Sequence, residues 1–138
     1  QLEDREAGEL CRDAEHDPEV DALVLKVALD LGMHRRAIDD EEIRERCLLA
    51  LVNEGAKILE ESVASCSADI DRVYRYGYGF PAALGGPMCW ADQQGLSLLL
   101  ARLERLQGLF GEHWRPAALL MRLVAAGKQL ADVREGRA

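Results

Sequence analysis

A cluster of glycines and prolines in the middle of the chain contains residue types that bind nucleotides. Gly77, Gly79 and Ala82 match the spacing of the dinucleotide-binding pattern, in which glycines let the backbone approach a pyrophosphate. That chemistry requires a strand before the first glycine and a helix opening directly after the last. Here residues 67–76 have helical periodicity, and Pro81 falls where the cofactor helix would begin. The pattern therefore predicts a structural corner and no cofactor-binding residue.

The corner as a whole, residues 76–88, has the composition of a shaped turn. Glycine reaches backbone angles that other residues avoid, and proline fixes φ, so their density predicts a fixed bend before a helix that starts at Pro87. We assign structural roles in this bend to seven residues: Tyr76, Gly77, Gly79, Pro81, Gly85, Gly86 and Pro87.

One acidic side chain falls on the apolar side of a long predicted helix. Glu54 projects into an arc of apolar residues near Cys47, and an unpaired buried carboxylate is unfavourable. It could act as a general acid or base with a raised pKa, or accept hydrogen bonds from backbone amides. Because no histidine or nucleophile is in register, we favour the second role, with donors at residues 86–88, where a helix start leaves N–H groups free. Asn53 is expected on the narrow hydrophilic strip, and both residues receive structural roles.

The remaining reactive side chains form no constellation that indicates catalysis or metal binding. The histidines are far apart in sequence, and the cysteines lack zinc-site spacing: His16, His34, His113, Cys11, Cys47, Cys66 and Cys89. Arg35 and Arg36 could bind an anion such as a phosphate or pair with the acids at 39–42, and we favour pairing. We predict no catalytic residue and no metal site. Unpaired cysteines fit a reducing compartment of the bacterial cytoplasmic type.

Helix signals recur along the chain and predict an all-α fold of six or seven helices. No segment alternates with period two for long enough to form a strand. Asp17-Pro18 and Pro87 mark helix starts, Gly32 and Gly127 mark helix ends, and Ser67 and Ser97 are expected N-caps. The predicted helices are residues 18–31, 40–62, 67–76, 87–94, 98–110 and 117–126.

The second of these helices, about residues 40–62, is predicted to lie at the centre of the fold. Its apolar arc covers more than half of the circumference and contains Cys47, Leu48, Leu51, Val52, Gly55, Leu59 and Val63. A helix this apolar must be covered on several sides. Around it we expect one domain, residues 17–127, preceded by a linker or loosely docked segment, 1–16, and followed by a polar tail, 128–138.

Charge excludes two classes of partner. Residues 1–45 carry a net charge of −9 and the rest of the chain +1, which gives −8, and an acidic segment is repelled by nucleic acid and by anionic membranes. No apolar run approaches the roughly twenty residues that a membrane span requires. The chain begins at Gln1 without an initiator methionine or a signal-peptide pattern, and we expect it to be part of a longer polypeptide.

Several motifs, taken together and in order, carry a family resemblance. They are Asp17-Pro18-Glu19-Val20, residues 36–43, residues 50–56 with Asn53-Glu54-Gly55, residues 68–71, residues 76–81, and Gly85-Gly86-Pro87. From about residue 17 to residue 127 the chain resembles the C-terminal helical domain of 3-hydroxyacyl-CoA dehydrogenases. More narrowly, it is similar to the last helical repeat of the multifunctional β-oxidation proteins, which join an enoyl-CoA hydratase to this dehydrogenase.

The resemblance implies that this chain is one part of a longer protein whose other domains carry out the catalysis. An NAD-binding Rossmann domain and a first helical repeat would precede this chain, so NAD would belong to the parent and not to this fragment. The family's active-site asparagine, carried by the first repeat, aligns here with Glu45. The resemblance therefore implies a non-catalytic role in inter-repeat packing and in closing the active site, with a homodimer when the chain is isolated. The alternatives are an independent helical interaction module and a small acyl-CoA-binding enzyme that uses Glu54.

Overall fold

The structure, a computed structural model, describes residues 17–33 and 36–133. Within these ranges it contains six α-helices and no strand, which confirms the predicted all-α class. The helices are α1 (Pro18–Asp30), α2 (Asp40–Glu60), α3 (Ser67–Gly77), α4 (Pro87–Gln94), α5 (Leu96–Phe110) and α6 (Ala118–Ala126). Short 3-10 turns occupy Ala82–Leu84, Glu112–Trp114 and Leu130–Asp132. The chain divides into two compact units, residues 1–38 and 39–138.

The first unit is described by α1, whose ends agree with the sequence signals. Asp17 is the N-cap, and its carboxylate accepts a hydrogen bond of 2.9 Å from the amide of Glu19. Gly32 follows the last turn with a φ of +65°, an angle that glycine adopts without strain. No residue of α1 is buried. The expected linker at 1–16 and the residues His34 and Arg35 lie outside the described ranges.

The second unit is built around α2, which packs against α3, α4 and α6. Its core is formed by fully buried aliphatic side chains from four helices, among them Leu49, Val52, Met88, Leu99, Leu103 and Leu120. Leucine dominates because the chain has few aromatic residues, and its flexible rotamers suit helical positions. The predicted central position of this helix is confirmed.

The buried face of α2 agrees in part with the predicted one: Val52, Gly55 and Leu59 are buried as expected, but the face is rotated away from Cys47 and Val63. Leu49, Val52, Ala56 and Leu59 line the core at helical spacing. Cys47, predicted to be a small core residue, is exposed. Likewise Val63, which follows the helix, is 74% exposed. Because apolar residues surround more than half of this helix, periodicity alone did not identify which part the neighbouring helices would cover.

Two predicted helix starts need correction. Gly95 is at once the C-cap of α4 and the N-cap of α5, so α5 begins at Leu96 and Ser97 lies inside its first turn. The φ of Gly95 is +90°, which lets one residue reverse the chain between two helices. The N-cap of α3 is Cys66, and the predicted cap, Ser67, is the first residue of that helix.

Part of the expected polar tail, residues 128–138, packs against the rest of the unit. The 3-10 turn at Leu130–Asp132 packs against α4, and Leu130 is fully buried in the core. A single leucine in a polar segment gave no periodic signal, so sequence analysis missed this docking. Residues 134–138 lie outside the described ranges.

Candidate functional site

The glycine corner joins α3 to α4 as a sequence of sharp bends. Gly77 is the last residue of α3, and Tyr76 beside it is 79% exposed. Gly79 then turns the chain with a φ of +68°, and Pro81 leads into the short 3-10 turn. A helix, not a strand, precedes the glycines, which is the local structure that the periodicity predicted.

The last two glycines bring the chain to the start of α4. Gly85 and Gly86 have φ values of +77° and +132°, and Pro87 is the buried first residue of the helix. A Cβ on Gly86 would lie 2.5 Å from both the Cβ and the Cγ of Asp71. The corner is therefore shaped for the close approach of that aspartate.

Asp71, on α3, occupies the place at the start of α4 where an anion would bind. Its Oδ1 accepts a hydrogen bond of 2.7 Å from the amide of Met88, and its Oδ2 accepts one of 3.1 Å from the amide of Cys89. Free N–H groups at a helix start are a ready anion site. Here the chain fills that site with its own carboxylate, so the amides that a phosphate would need are already used.

The surroundings of Asp71 shift the pKa of its carboxyl group. Burial raises the pKa of this carboxyl above the ordinary value of 3.8, and the nearby Asp92 charge raises it further. The two amide hydrogen bonds and the Arg75 charge act in the opposite direction without cancelling the effect of burial.

This shift gives a pH-dependent prediction. The difference in unfolding free energy between the unmodified chain and Asp71→Asn is expected to shrink as the pH rises from below 3.8 through the raised pKa of the folded chain. A carboxyl with a raised folded pKa contributes stability that is present below its unfolded pKa and lost as the pH rises through the folded value. Asparagine does not titrate, and all other titratable groups are the same in the two chains. Urea unfolding at a series of pH values measures the difference, and growth with pH would contradict the assignment.

Glu54 does not accept the amides at the start of α4, and that prediction was wrong. Its side chain is 63% exposed, and its Oε2 lies 3.1 Å from the Nζ of Lys57, one helical turn away. Of the expected donors at residues 86–88, the amide of Met88 is used, together with that of Cys89, but the acceptor is Asp71 of α3. Val52 and Ala56 lie on the buried face of α2, and Glu54 lies outside that face.

Asn53, expected on a hydrophilic strip, is instead buried at 3% exposure. Its Oδ1 accepts a hydrogen bond of 2.8 Å from the amide of Ala117, and its Nδ2 donates one of 2.9 Å to the carbonyl of Arg115. One amide side chain therefore satisfies both a donor and an acceptor of the segment that leads into α6.

A third side chain, that of Asp92, binds backbone amides near the end of the described chain. Asp92, on α4, accepts hydrogen bonds of 2.8 and 3.0 Å from the amides of Leu130 and Ala131. Sequence analysis missed Asp71 and Asp92 as functional residues. A signal was present for Asp71, however: the N-cap of α4 is Gly86, which has no side chain that can cap a helix. The capping group of α4 therefore had to come from elsewhere in the fold.

Comparison with known proteins adds an independent observation. The family described as 3-hydroxyacyl-CoA dehydrogenase, C-terminal domain, has a model that matches residues 43–136. The chain belongs to this family. The resemblance seen in the sequence motifs is thereby confirmed, and the helices α2 to α6 are those of a dehydrogenase C-terminal domain.

Similar curated proteins are multidomain enzymes and far longer. The peroxisomal bifunctional enzyme of Danio rerio is 43% identical over 116 residues, which cover 83% of this chain and 16% of the relative. The fatty acid oxidation complex subunit alpha of Shewanella halifaxensis is 37% identical over 111 residues, covering 79% of this chain and 15% of the relative. The chain thus spans about one sixth of the length of the curated relatives it matches.

In this dehydrogenase C-terminal domain, Glu45 forms an ion pair between two helices. Its Oε1 lies 2.9 Å from the Nη1 of Arg102 on α5. The guanidinium of the next residue, Arg46, lies 4.0 Å from the ring centre of Phe110, the last residue of α5. The position that aligns with a catalytic asparagine in the resemblance therefore carries a residue engaged in packing α2 on α5.

The other reactive groups of the domain remain dispersed. Within residues 17–33 and 36–133, no three His, Cys, Asp or Glu side chains are grouped to hold a metal ion. Cys47, Cys66 and Cys89 carry free thiols. Arg36 donates a hydrogen bond to the carbonyl of Ala37. In the same ranges, no helix has the length and hydropathy needed to cross a bilayer.

Proposed function

We propose that this chain is a non-catalytic packing domain of an NAD-dependent 3-hydroxyacyl-CoA dehydrogenase of fatty acid oxidation. Its partners would be the Rossmann domain and the first helical repeat of the same parent protein. By packing against that repeat, it would help to keep the active site closed. The isolated chain would form a homodimer, because the apolar surfaces that contact other domains in the parent would otherwise be exposed to water.

The observation that carries the proposal is the exposed apolar stripe of α1. Five large side chains lie along one side of the helix, each between 47% and 68% exposed: Val20, Leu23, Val24, Val27 and Leu31. Isolated helices of this length are marginal in water, so a helix with this stripe needs a partner surface for stability. Contiguous exposed apolar patches mark interaction sites.

The polar groups of the second unit support a structural role. Asn53, Asp71 and Asp92 are each engaged with backbone amides of a neighbouring segment. Glu45 and Glu54 are both in ion pairs. The alternative of a small enzyme that uses Glu54 loses its basis, since this carboxylate is exposed and paired with Lys57. An independent interaction module would share the same apolar surfaces.

The glycine corner does not fit a nucleotide. The amides that would hold a phosphate are bonded to Asp71, which would repel a second anion. NAD would therefore bind to the Rossmann domain of the parent, and no step of hydride transfer involves this corner. The free thiols at Cys47, Cys66 and Cys89 are consistent with the proposal of a reducing compartment.

The isolated chain is expected to sediment at twice its monomer mass of 15.3 kDa at tens of micromolar, without dehydrogenase activity. The double variant Leu23→Lys/Val27→Lys should shift it to monomer, because two ammonium groups in the apolar stripe would be desolvated in the interface. Activity is measured as loss of NADH absorbance with acetoacetyl-CoA.

A matched control places the same two charges on the opposite side of α1. Ala22 and Leu29 lie about 180° from the centre of the stripe and are also exposed. Ala22→Lys/Leu29→Lys should remain dimeric. An unmodified chain that sediments only as a monomer would contradict the docking role. Turnover of NADH by the isolated chain would contradict the non-catalytic role.

A further inference from the structure

The second unit has an apolar groove between the C-terminal end of α2 and α3. Its volume is about 350 Å³, and it is called here the α2–α3 groove. Among the residues that line it, Ile70 is 6% exposed, whereas Val63 and Val73 are 74% and 57% exposed. Apolar side chains are stabilised when a partner removes them from water, so the groove favours an occupant with an apolar body.

The same groove also offers a hydrogen-bond acceptor. Asp69 is among its lining residues, and the side chain of Asp69 is 43% exposed. Its Oδ1 lies 2.9 Å from the Nη1 of Arg72, which neutralises the carboxylate, and its Oδ2 accepts a contact of 3.5 Å from the Sγ of Cys66. A thiol is a weak donor, and a carboxylate accepts about four hydrogen bonds, so Oδ2 can accept a stronger donor as well. The groove therefore fits a neutral group with an apolar body and a donor at its tip, as in the side chain of tyrosine.

The chain presents such a tyrosine on the same helix. Tyr76 lies three residues after Val73 in α3 and is 79% exposed, so its ring is outside the groove of its own chain. Tyr78, which is 75% exposed, lies with its ring centre 5.3 Å from that of Tyr74 and is engaged within its own chain. Tyr76 is therefore the tyrosine available to a second copy.

A projecting side chain and a groove on one helix can fit each other in a symmetric dimer. Under a two-fold axis, when Tyr76 of one copy enters the groove of the second, Tyr76 of the second copy enters the groove of the first. Tyrosine is also one of the residues that most often dominate the energetics of protein interfaces. Each favourable contact would then occur twice.

The area of this contact decides how it relates to α1. Two tyrosine side chains bury about 300–500 Å², and the groove residues that they cover bury about as much again. This sum is below the roughly 1,200 Å² of a stable interface. The α1 stripe is therefore needed as well, and the two surfaces act together.

We propose that in the homodimer Tyr76 of each copy inserts into the α2–α3 groove of the other and donates its hydroxyl to Oδ2 of Asp69. The inference rests on the proposed function, which supplies the homodimer. It adds a second contact surface, located on the second unit, and names the residue that occupies it.

The direct test is an isotope-filtered NOE measurement on an equal mixture of ¹³C-methyl-labelled and unlabelled chains at the high concentrations used for NMR. Cross-peaks are expected between the ring protons of Tyr76 in the unlabelled chain and the methyl groups of Ile58, Val63 and Val73 in the labelled chain. They should vanish when the unlabelled chain carries Tyr76→Ala. Because the two partners of each cross-peak are in different copies, contacts within one chain give no signal.

A matched pair of variants tests the hydrogen bond. Tyr76→Phe should raise the dimer Kd at least about tenfold, because a hydrogen bond to a charged group is lost in both copies. Tyr78→Phe removes the same atom from a tyrosine that is about equally exposed, and should leave the Kd within about twofold. In an Asp69→Ala chain, Tyr76→Phe should have no further effect. Sedimentation equilibrium measures all of these constants, and both hydroxyls belong to exposed side chains, so both phenylalanine variants should fold.

Three results would overturn the proposal: no cross-peaks between copies, equal weakening by Tyr76→Phe and Tyr78→Phe, or an undiminished effect of Tyr76→Phe in the Asp69→Ala chain. A dimer that gives these results but is dissociated by Leu23→Lys/Val27→Lys would leave the proposed function intact. Conversely, cross-peaks from Tyr76 in a dimer that survives the two lysines would overturn the docking role of α1 alone.

Discussion

Gly86→Ala is expected to lower the free energy of unfolding by about 3 kcal/mol, the largest effect of any single methyl group in this domain. Gly86 has a φ of 132° and a ψ of 170°, a region of backbone space that is essentially restricted to glycine. The added Cβ would also collide with the Cβ and Cγ of Asp71. Relief of either strain would pull Asp71 away from the amides of Met88 and Cys89.

The measurement is urea unfolding followed by tryptophan fluorescence, since Trp90 and Trp114 both pack against the core. Gly108→Ala is the matched control. Gly108 lies inside α5 with nothing within 4 Å of an added Cβ, so alanine there should raise stability by up to about 1 kcal/mol. A Gly86→Ala chain as stable as the unmodified one would show that the corner is not shaped by Asp71.

Asn53→Ala is expected to cost about 3 kcal/mol for a different reason. Removing the side chain leaves the amide of Ala117 and the carbonyl of Arg115 without their partner, and Ala117 is 4% exposed. A buried polar group without a partner costs about 1–3 kcal/mol. The same urea titration measures the loss, and Gln94→Ala, which truncates an exposed amide at the end of α4, should change stability by less than about 0.5 kcal/mol.

A second variant at this position tests the mechanism and not only the size of the effect. Asn53→Asp keeps the acceptor for the amide of Ala117 but presents a carboxylate to the carbonyl of Arg115. It should be at least as unstable as Asn53→Ala at neutral pH and should recover at acid pH, because a protonated carboxyl can donate to that carbonyl. Insensitivity to pH would contradict the two-bond role of Asn53.

The features that sequence analysis predicted well are those fixed by local chemistry. Pro18 and Pro87 start helices, and Gly127 ends one with a φ of +63°, because these residues restrict or extend the backbone angles themselves. The family was also recognisable, since its motifs occur in order over most of the chain. The helix that precedes the glycine corner was also predicted, because residues 67–76 have helical periodicity.

The features that were missed depend on partners distant in sequence. Nothing near Asn53 in the chain indicates that residues 115–117 will lie against it, so a polar residue was assigned to the polar strip. In the same way the amides at the start of α4 were assigned to Glu54, because an acid among apolar neighbours is visible in a sequence, whereas an acid such as Asp71 that bonds to another helix is not. Leu130 was missed because a single apolar residue cannot form a periodic pattern in the sequence.

The three backbone-binding side chains also differ in how much of the chain they close into a loop. The bond between Asp71 and Met88 joins residues 17 apart, that between Asp92 and Leu130 joins residues 38 apart, and that between Asn53 and Arg115 joins residues 62 apart. The entropy of loop closure grows with the logarithm of length, so the longest of these loops costs about 1 kcal/mol more to close than the shortest. During folding, the bond between α3 and α4 therefore costs the least entropy and can form first. The segment before α6 can then pack against helices that are already in place.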